Sequence, residues 1–223
     1  MEEINDILAS YAQQDLTPLI QLFIILTFLM FLPAVIFMFT SFIRIIITFS
    51  FIKSAIGAQQ SIPNQILLGV AIAMTVFIMA PTVSEINEKA VKPYLQEEIN
   101  FQEALNEAQK PIKSFLLKQT RESDIKLFLE SAKMDTKNLT RDDVPLYVLA
   151  PAFAISELKT AFQIGFLIYL PFLLIDLVVA STLMAMGMMM LPPVMVSLPF
   201  KLLLFIMVDG WNLLIKSLLL NFN

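Results

Sequence analysis

The sequence predicts an all-α, membrane-associated protein: hydrophobic helices arranged as hairpins, with an amphipathic helical insert between them. Three observations predict it. Hydrophobic residues make up 57% of the 223-residue chain and charged residues 15%, at a mean hydropathy of +0.76, whereas soluble domains run at about 45–50% apolar and about 25% charged. Charges are absent over two long runs, 28 residues from Leu16 to Ile43 and 31 from Ser54 to Ser84. They gather instead between Glu85 and Lys159, which holds 24 of the 34 Lys, Arg, Asp and Glu residues.

The elements follow in chain order. Residues 1–17 form an acidic segment with Glu2, Glu3, Asp6 and Asp15 and no base. A first hydrophobic hairpin occupies 18–84, with helices predicted at 18–42 and 65–84, because about 20 apolar residues span the ~30 Å hydrocarbon core. Residues 85–150 form the charged insert. Within it Phe101, Ala104, Leu105 and Ala108 share one helix face, and Pro111 suits the first turn of a further helix carrying Ile112, Phe115 and Leu116. Ser123 is an N-cap for Ile125–Ala132, and Thr140 to Asp143 reads as a variant capping box. The Phe101, Phe115 and Phe128 faces are expected to pack the insert on itself and on neighbouring copies. A second hairpin fills 151–223, with helices at 160–188 and 194–219 broken at Leu191-Pro192-Pro193, since paired prolines cannot continue a helix.

Composition excludes whole classes of chemistry. The chain has no cysteine and no histidine, which removes disulfides, thiol nucleophiles, imidazole bases and Cys/His metal sites. A net charge of −4 excludes a broadly basic nucleic-acid binder. No cofactor-binding or metal-ligating residue is assigned, and any chemistry that remains would run on carboxylates or lysines. The 43–64 segment carries Arg44 and Lys53 and no acid, which places it inside and the insert outside by the positive-inside rule. The acidic start lacks the basic n-region of a signal peptide, so either the chain is mature or its first helix inserts by itself.

Two features of the hydrophobic half invite function. Asp176 and Asp209 are its only carboxylates after Glu157, and an ionisable group at membrane depth marks function by default. Pairing with Lys201 or Lys216, a proton relay of a secondary transporter, and an aspartyl hydrolase dyad are the readings the residues leave open. Met184, Met186, Met188, Met189 and Met190 fall within seven positions. The plain reading is a loose hydrophobic turn; the other is a deformable lining, because Met is flexible and polarizable. Gly69 with Ala73, and Ser181 with Ala185, are small residues four apart that permit close helix approach.

Beyond these physical readings, several stretches resemble a known family. They are Ser41-Phe42-Ile43-Arg44-Ile45-Ile46-Ile47, Gly57 to Gln65, and Phe77-Ile78-Met79-Ala80-Pro81, then Pro151 through Phe166 and Asp176 through Met188-Met189-Met190-Leu191-Pro192-Pro193 to Asp209-Gly210-Trp211. Together they resemble the FliP family of flagellar type III export-gate proteins over about 40–84 and 147–217. Injectisome homologues are similar, but Leu191-Pro192-Pro193-Val194-Met195 reads as flagellar. The acidic start departs from the cleavable signal peptide with which members often begin.

The resemblance implies a non-enzymatic subunit of the bacterial inner membrane at the flagellar basal body. Copies would form a pentamer with FliQ-like and FliR-like subunits, building a closed helical cone on which an FlhB-like protein docks and through which unfolded flagellar proteins pass. It also implies that much of the cone stands above the bilayer plane. The methionines at 184, 186, 188, 189 and 190 would form a gasket around the pore, and Glu157, Asp176 and Lys201 would make charge contacts between subunits.

Overall fold

The computed structural model describes residues 17–58, 62–134, 140–188 and 190–222, and every regular element among them is helical. The chain divides into two compact units, Met1–Phe37 and Met38–Asn223. The first is described by α1 (Thr17–Met38), an apolar helix with Pro33 inside it. The second unit contains α2 (Phe42–Ile56), α3 (Asn64–Leu95), α4 (Phe101–Gln119), α5 (Glu122–Ser131), α6 (Leu146–Ala185), α7 (Pro193–Met207) and α8 (Gly210–Leu220).

The helix predicted over 18–42 ends at Met38, and the segment read as a loop over 43–64 is largely helical. Its signal is in the sequence: Ile45, Thr48, Phe49, Ile52, Ala55 and Ile56 recur at helical spacing and are all buried. Arg44 masked it, because a charge ending an uncharged run reads as a membrane boundary. Gly57 closes α2 at φ 79°, its N–H donating to the Ser54 carbonyl at 3.1 Å. The left-handed region is open to glycine at little cost. Burial of Arg44 also leaves Lys53 as the base supporting an inside location for this segment.

Helix α3 runs past the predicted end at 84 through a π-helical turn at Asn87–Val91. Helix α4 begins at a full capping box: the Glu103 N–H donates to Asn100 Oδ1 at 2.9 Å, and the Asn100 N–H donates to Glu103 Oε2 at 3.0 Å. Pro111 lies inside α4 and does not start a new helix. The Thr140–Asp143 box forms as read, with the Thr140 N–H donating to Asp143 Oδ2 at 3.2 Å. Helix α5 starts at Glu122, not after an N-cap at Ser123, because Arg121 takes the extended N-cap conformation.

Helix α6 starts at Leu146, after Pro145, instead of at 160. Its early turns are needed by the core: Leu116, Leu117, Ile125, Leu129, Val144, Val148, Leu149, Ala152 and Phe153 form one buried cluster. Phe115 and Phe128 pack against this cluster as expected, but Phe101 is exposed and meets the Tyr94 ring edge-on.

The helix predicted at 194–219 is two helices, α7 and α8, bent by 60°. Asp209 takes the left-handed conformation at φ 50°, which Asp tolerates better than most residues. A Cβ on Gly210 would sit 2.3 Å from the Phe205 ring, so any side chain at this corner would have to turn that ring aside. Phe205 meets Trp211 edge-on at 5.3 Å across the bend. By length and composition α3 and α6 can each cross a membrane, and the α7–α8 pair adds a third candidate. At 1.5 Å per residue the 40 residues of α6 reach about 60 Å, twice the ~30 Å apolar core of a bilayer.

Candidate functional site

Three polar constellations and one methionine turn are built on α6. The first is a buried ion pair. The Arg44 guanidinium donates from Nε to Glu157 Oε2 at 2.9 Å and from Nη2 to Glu157 Oε1, a two-pronged contact. The two side chains are 3% and 0% exposed. Spare guanidinium donors are used too: Nη2 reaches Gln119 Oε1 at 3.1 Å and Nη1 reaches the Asn221 carbonyl at 3.4 Å. The Phe222 ring lies 3.9 Å beneath the guanidinium carbon, in cation–π range. One arginine therefore joins α2, the end of α4, α6 and the residues after α8. Only a forked cation could meet so many acceptors, and a buried charge needs them.

The approach of α2 to α6 depends on Gly165. A Cβ there would lie 2.4 Å from Phe51 Cγ and 2.8 Å from Phe51 Cβ. The bare backbone lets Phe51 cross α6 and stack edge-on with Phe162 at 5.2 Å.

The second constellation docks the insert. Ser156 Oγ donates to Asp124 Oδ2 at 2.7 Å while accepting from the Arg121 N–H at 3.0 Å. Lys159 Nζ donates to Asp124 Oδ1, and Arg121 Nη2 reaches Gln163 Oε1 at 2.7 Å. Burial pushes the Asp124 carboxyl up, but the hydrogen bonds from Lys159 and Ser156 and the Lys159 charge outweigh it, holding the carboxyl below the ordinary carboxylate range. A depressed folded value means that the stabilisation is complete above the unfolded value of about 3.9 and is lost as pH falls through the lower folded one. Protection of α5 amides against hydrogen exchange is thus expected to hold from neutral pH down to about pH 4 and to fall below it. Asp124→Asn should weaken the docking by about 1–2 kcal/mol, the half-exposed Lys159 contributing less than a buried partner would. It should also flatten the acid dependence; an unchanged pH profile in the variant would assign the acid lability to another group.

The third joins the two helices of the second hairpin. Lys201 Nζ donates to Asp176 Oδ2 at 2.6 Å, and Ser197 Oγ donates to Asp176 Oδ1. Lys201 is 3% exposed and Asp176 28%. Ser197 and Lys201 stand four apart, on one face of α7. Of the two lysines read as partners for Asp176, the structure selects Lys201. Asp209 sits exposed at the α7–α8 corner and has no ion pair among the described residues. Glu157, Asp176 and Lys201 each find an opposite charge within the chain.

The methionine turn begins at a glycine cap. Helix α6 stops at Ala185, not 188, because Gly187 adopts φ 75°. The Gly187 N–H donates to the Met184 carbonyl at 3.0 Å and the Met188 N–H to the Leu183 carbonyl at 2.9 Å, the paired bonds of a Schellman end. Pro193 then occupies the first turn of α7, where its missing N–H costs nothing. Met184, Met186, Met188 and Met190 all project into the open, Met190 at 97% exposure. Met189 lies outside the described residues.

The sequence model of the FliP family matches residues 25–218. This chain belongs to the FliP family. Among its relatives, the flagellar biosynthetic protein FliP of Bacillus subtilis is 51% identical over 222 residues, covering 100% of both chains. The protein of the same name from Pectobacterium carotovorum is 48% identical over 209 residues, 94% of this chain and 81% of the relative. That of Aquifex aeolicus is 43% identical over 217 residues, 97% and 91% of the two chains. The FliP match therefore runs through the insert, where no motif had been recognised. Sequence reasoning singled out Glu157, Asp176 and Lys201 in this FliP-family chain for contacts between subunits, whereas the structure pairs them within one chain; it took Arg44 for a loop charge and passed over Asp124. A buried partner is visible only once the helices are placed.

Proposed function

We propose that this chain is a wall subunit of the flagellar protein export gate, acting without catalysis of its own. The observation that carries the reading is the capped turn after α6, which holds four described methionines outward between two apolar helices. A single chain leaves these thioethers in the open. Copies set around an axis would bring them together, and their flexibility suits a seal that must block ions and still part around a passing chain. The name of the relatives, flagellar biosynthetic protein, supports the flagellar setting over the injectisome one.

In this reading copies assemble as a pentamer with FliQ-like and FliR-like subunits in the inner membrane at the flagellar base, with the charged insert on the extracytoplasmic side and an FlhB-like protein docked on the gate. Unfolded flagellar proteins are the cargo. The pairs Arg44–Glu157 and Asp176–Lys201 fix the angles at which the helices of one subunit present themselves to the next.

Replacing Met188, Met189 and Met190 together by alanine is expected to make membranes carrying the closed complex leaky to small ions, read as dissipation of an imposed ion gradient. The complex itself should still be recovered. Membranes that stay tight with the triple variant assembled would overturn the seal.

A further inference from the structure

The hairpin between α3 and α4 ends in an apolar tip that the chain leaves uncovered. Tyr94, Leu95 and Phe101 are exposed, Leu95 at 73%, and the rings of Tyr94 and Phe101 hold each other edge-on at 6.1 Å. By length and composition α3 can cross a bilayer, and in that arrangement the tip stands clear of lipid. The apolar part of α3, Asn64 to Ser84, is 21 residues long, about 31 Å, and already fills the hydrocarbon core. The next eleven residues, with Glu85, Glu88, Lys89 and Lys92, carry the tip about 16 Å farther out.

The insert is also electrically polarised along its length. From Glu85 to Glu107 it has six acids and two bases, and from Lys110 to Val144, the last residue lining the groove at that end, eight bases and six acids. At the basic end lies a groove of about 200 Å³ with Ile125, Leu129 and Val144 in its floor and Lys126 and Arg141 on its rim. Glu122, 4.0 Å from Arg141, is the acid on that rim. Glu97 and Glu98 beside the tip, and Lys126 beside the groove, enter no ion pair among the described residues. Tip and groove cannot meet in one molecule. Arg141 reaches the Leu117 carbonyl at 3.5 Å, so the groove stands near the far end of α4, about 24 Å along the helix from Phe101.

We propose that the tip of one copy docks into the groove of the next copy, Tyr94, Leu95 and Phe101 covering the apolar floor while Glu97 and Glu98 meet Lys126 and Arg141. Complementary patches at opposite ends of one element make a head-to-tail contact, which closes into a ring when the rotation between copies allows it. The contact rests on the multi-copy gate proposed above and adds the surfaces by which its insert layer is joined.

The test uses the full chain assembled in membranes, carrying Leu95→Cys and Leu127→Cys in a background that has no native cysteine. A short bis-maleimide is expected to give a ladder of covalent dimers and larger species that either single variant lacks. Glu97→Lys with Glu98→Lys should lower dimer yield at least tenfold, and adding Lys126→Glu with Arg141→Glu to the same cysteine pair should restore it. All positions are on the surface, so folding is not at stake. A multi-copy particle seen intact by native mass spectrometry but giving no ladder overturns the tip contact alone, as does capture of Leu95→Cys on a different protein. A chain that stays monomeric overturns both this contact and the gate.

Discussion

Replacing Arg44 by alanine is expected to destabilise the folded chain by about 3–5 kcal/mol, because it strands a fully buried carboxylate. The loss should show as a lower midpoint of thermal unfolding in detergent and as faster proteolysis between α2 and α6. Arg44→Lys keeps the charge but cannot make the two-pronged contact with Glu157 and also serve Gln119 and the Asn221 carbonyl, so it should recover only part of the loss. Glu157→Gln should be milder than Arg44→Ala, since an amide still accepts a hydrogen bond and leaves no bare anion. The double variant Arg44→Ala/Glu157→Ala should cost less than the two single alanine variants summed, because neither charge is then left alone. Additive costs would mean that the pair is not a unit.

The second large effect is expected at Gly165, where two physical terms oppose each other. Alanine is favoured over glycine in a helix interior by about 1 kcal/mol. Against this, the added Cβ would come within 2.4–2.8 Å of Phe51, and the nearest atoms include Phe51 Cβ, which a ring rotation cannot move away. Overpacking of this kind costs about 1–3 kcal/mol or more, so Gly165→Ala should destabilise and Gly165→Leu should separate α2 from α6. Shortening Phe51 in the same chain should relieve most of the damage. Gly69 provides the contrast. Nothing lies within 4 Å of a Cβ placed there, so Gly69→Ala should stabilise the isolated chain by up to about 1 kcal/mol. If the two alanine variants behave alike in unfolding experiments, the close crossing of α2 over α6 is wrong.

These two sites show where sequence reasoning stops. The helical class, the hydrophobic runs, the charged insert and the proline-marked turn after the methionines were legible because composition and period 3.6 are local properties. Boundaries were not. Helix α2 was hidden by Arg44, α6 began at Leu146 because its first turns complete the insert's core, and the last helix split where Asp209 turns left-handed at φ 50°. The first two depend on neighbours distant in the chain. Pro111 misled in the other direction, since a helix tolerates one lost hydrogen bond when the packing around it is sound.

The sequence by itself determined that this protein is helical, membrane-seeking and without the side chains for imidazole or thiol chemistry, and its motifs carried the family. Only the tertiary structure decided which charges meet. Arg44 and Glu157 are separated by 113 residues, and a charge read along the chain looks solvated until a helix from elsewhere excludes the water around it. Burial turns a surface ion pair of small worth into one whose disruption costs several kcal/mol, and burial is a property of the packed fold, not of any segment.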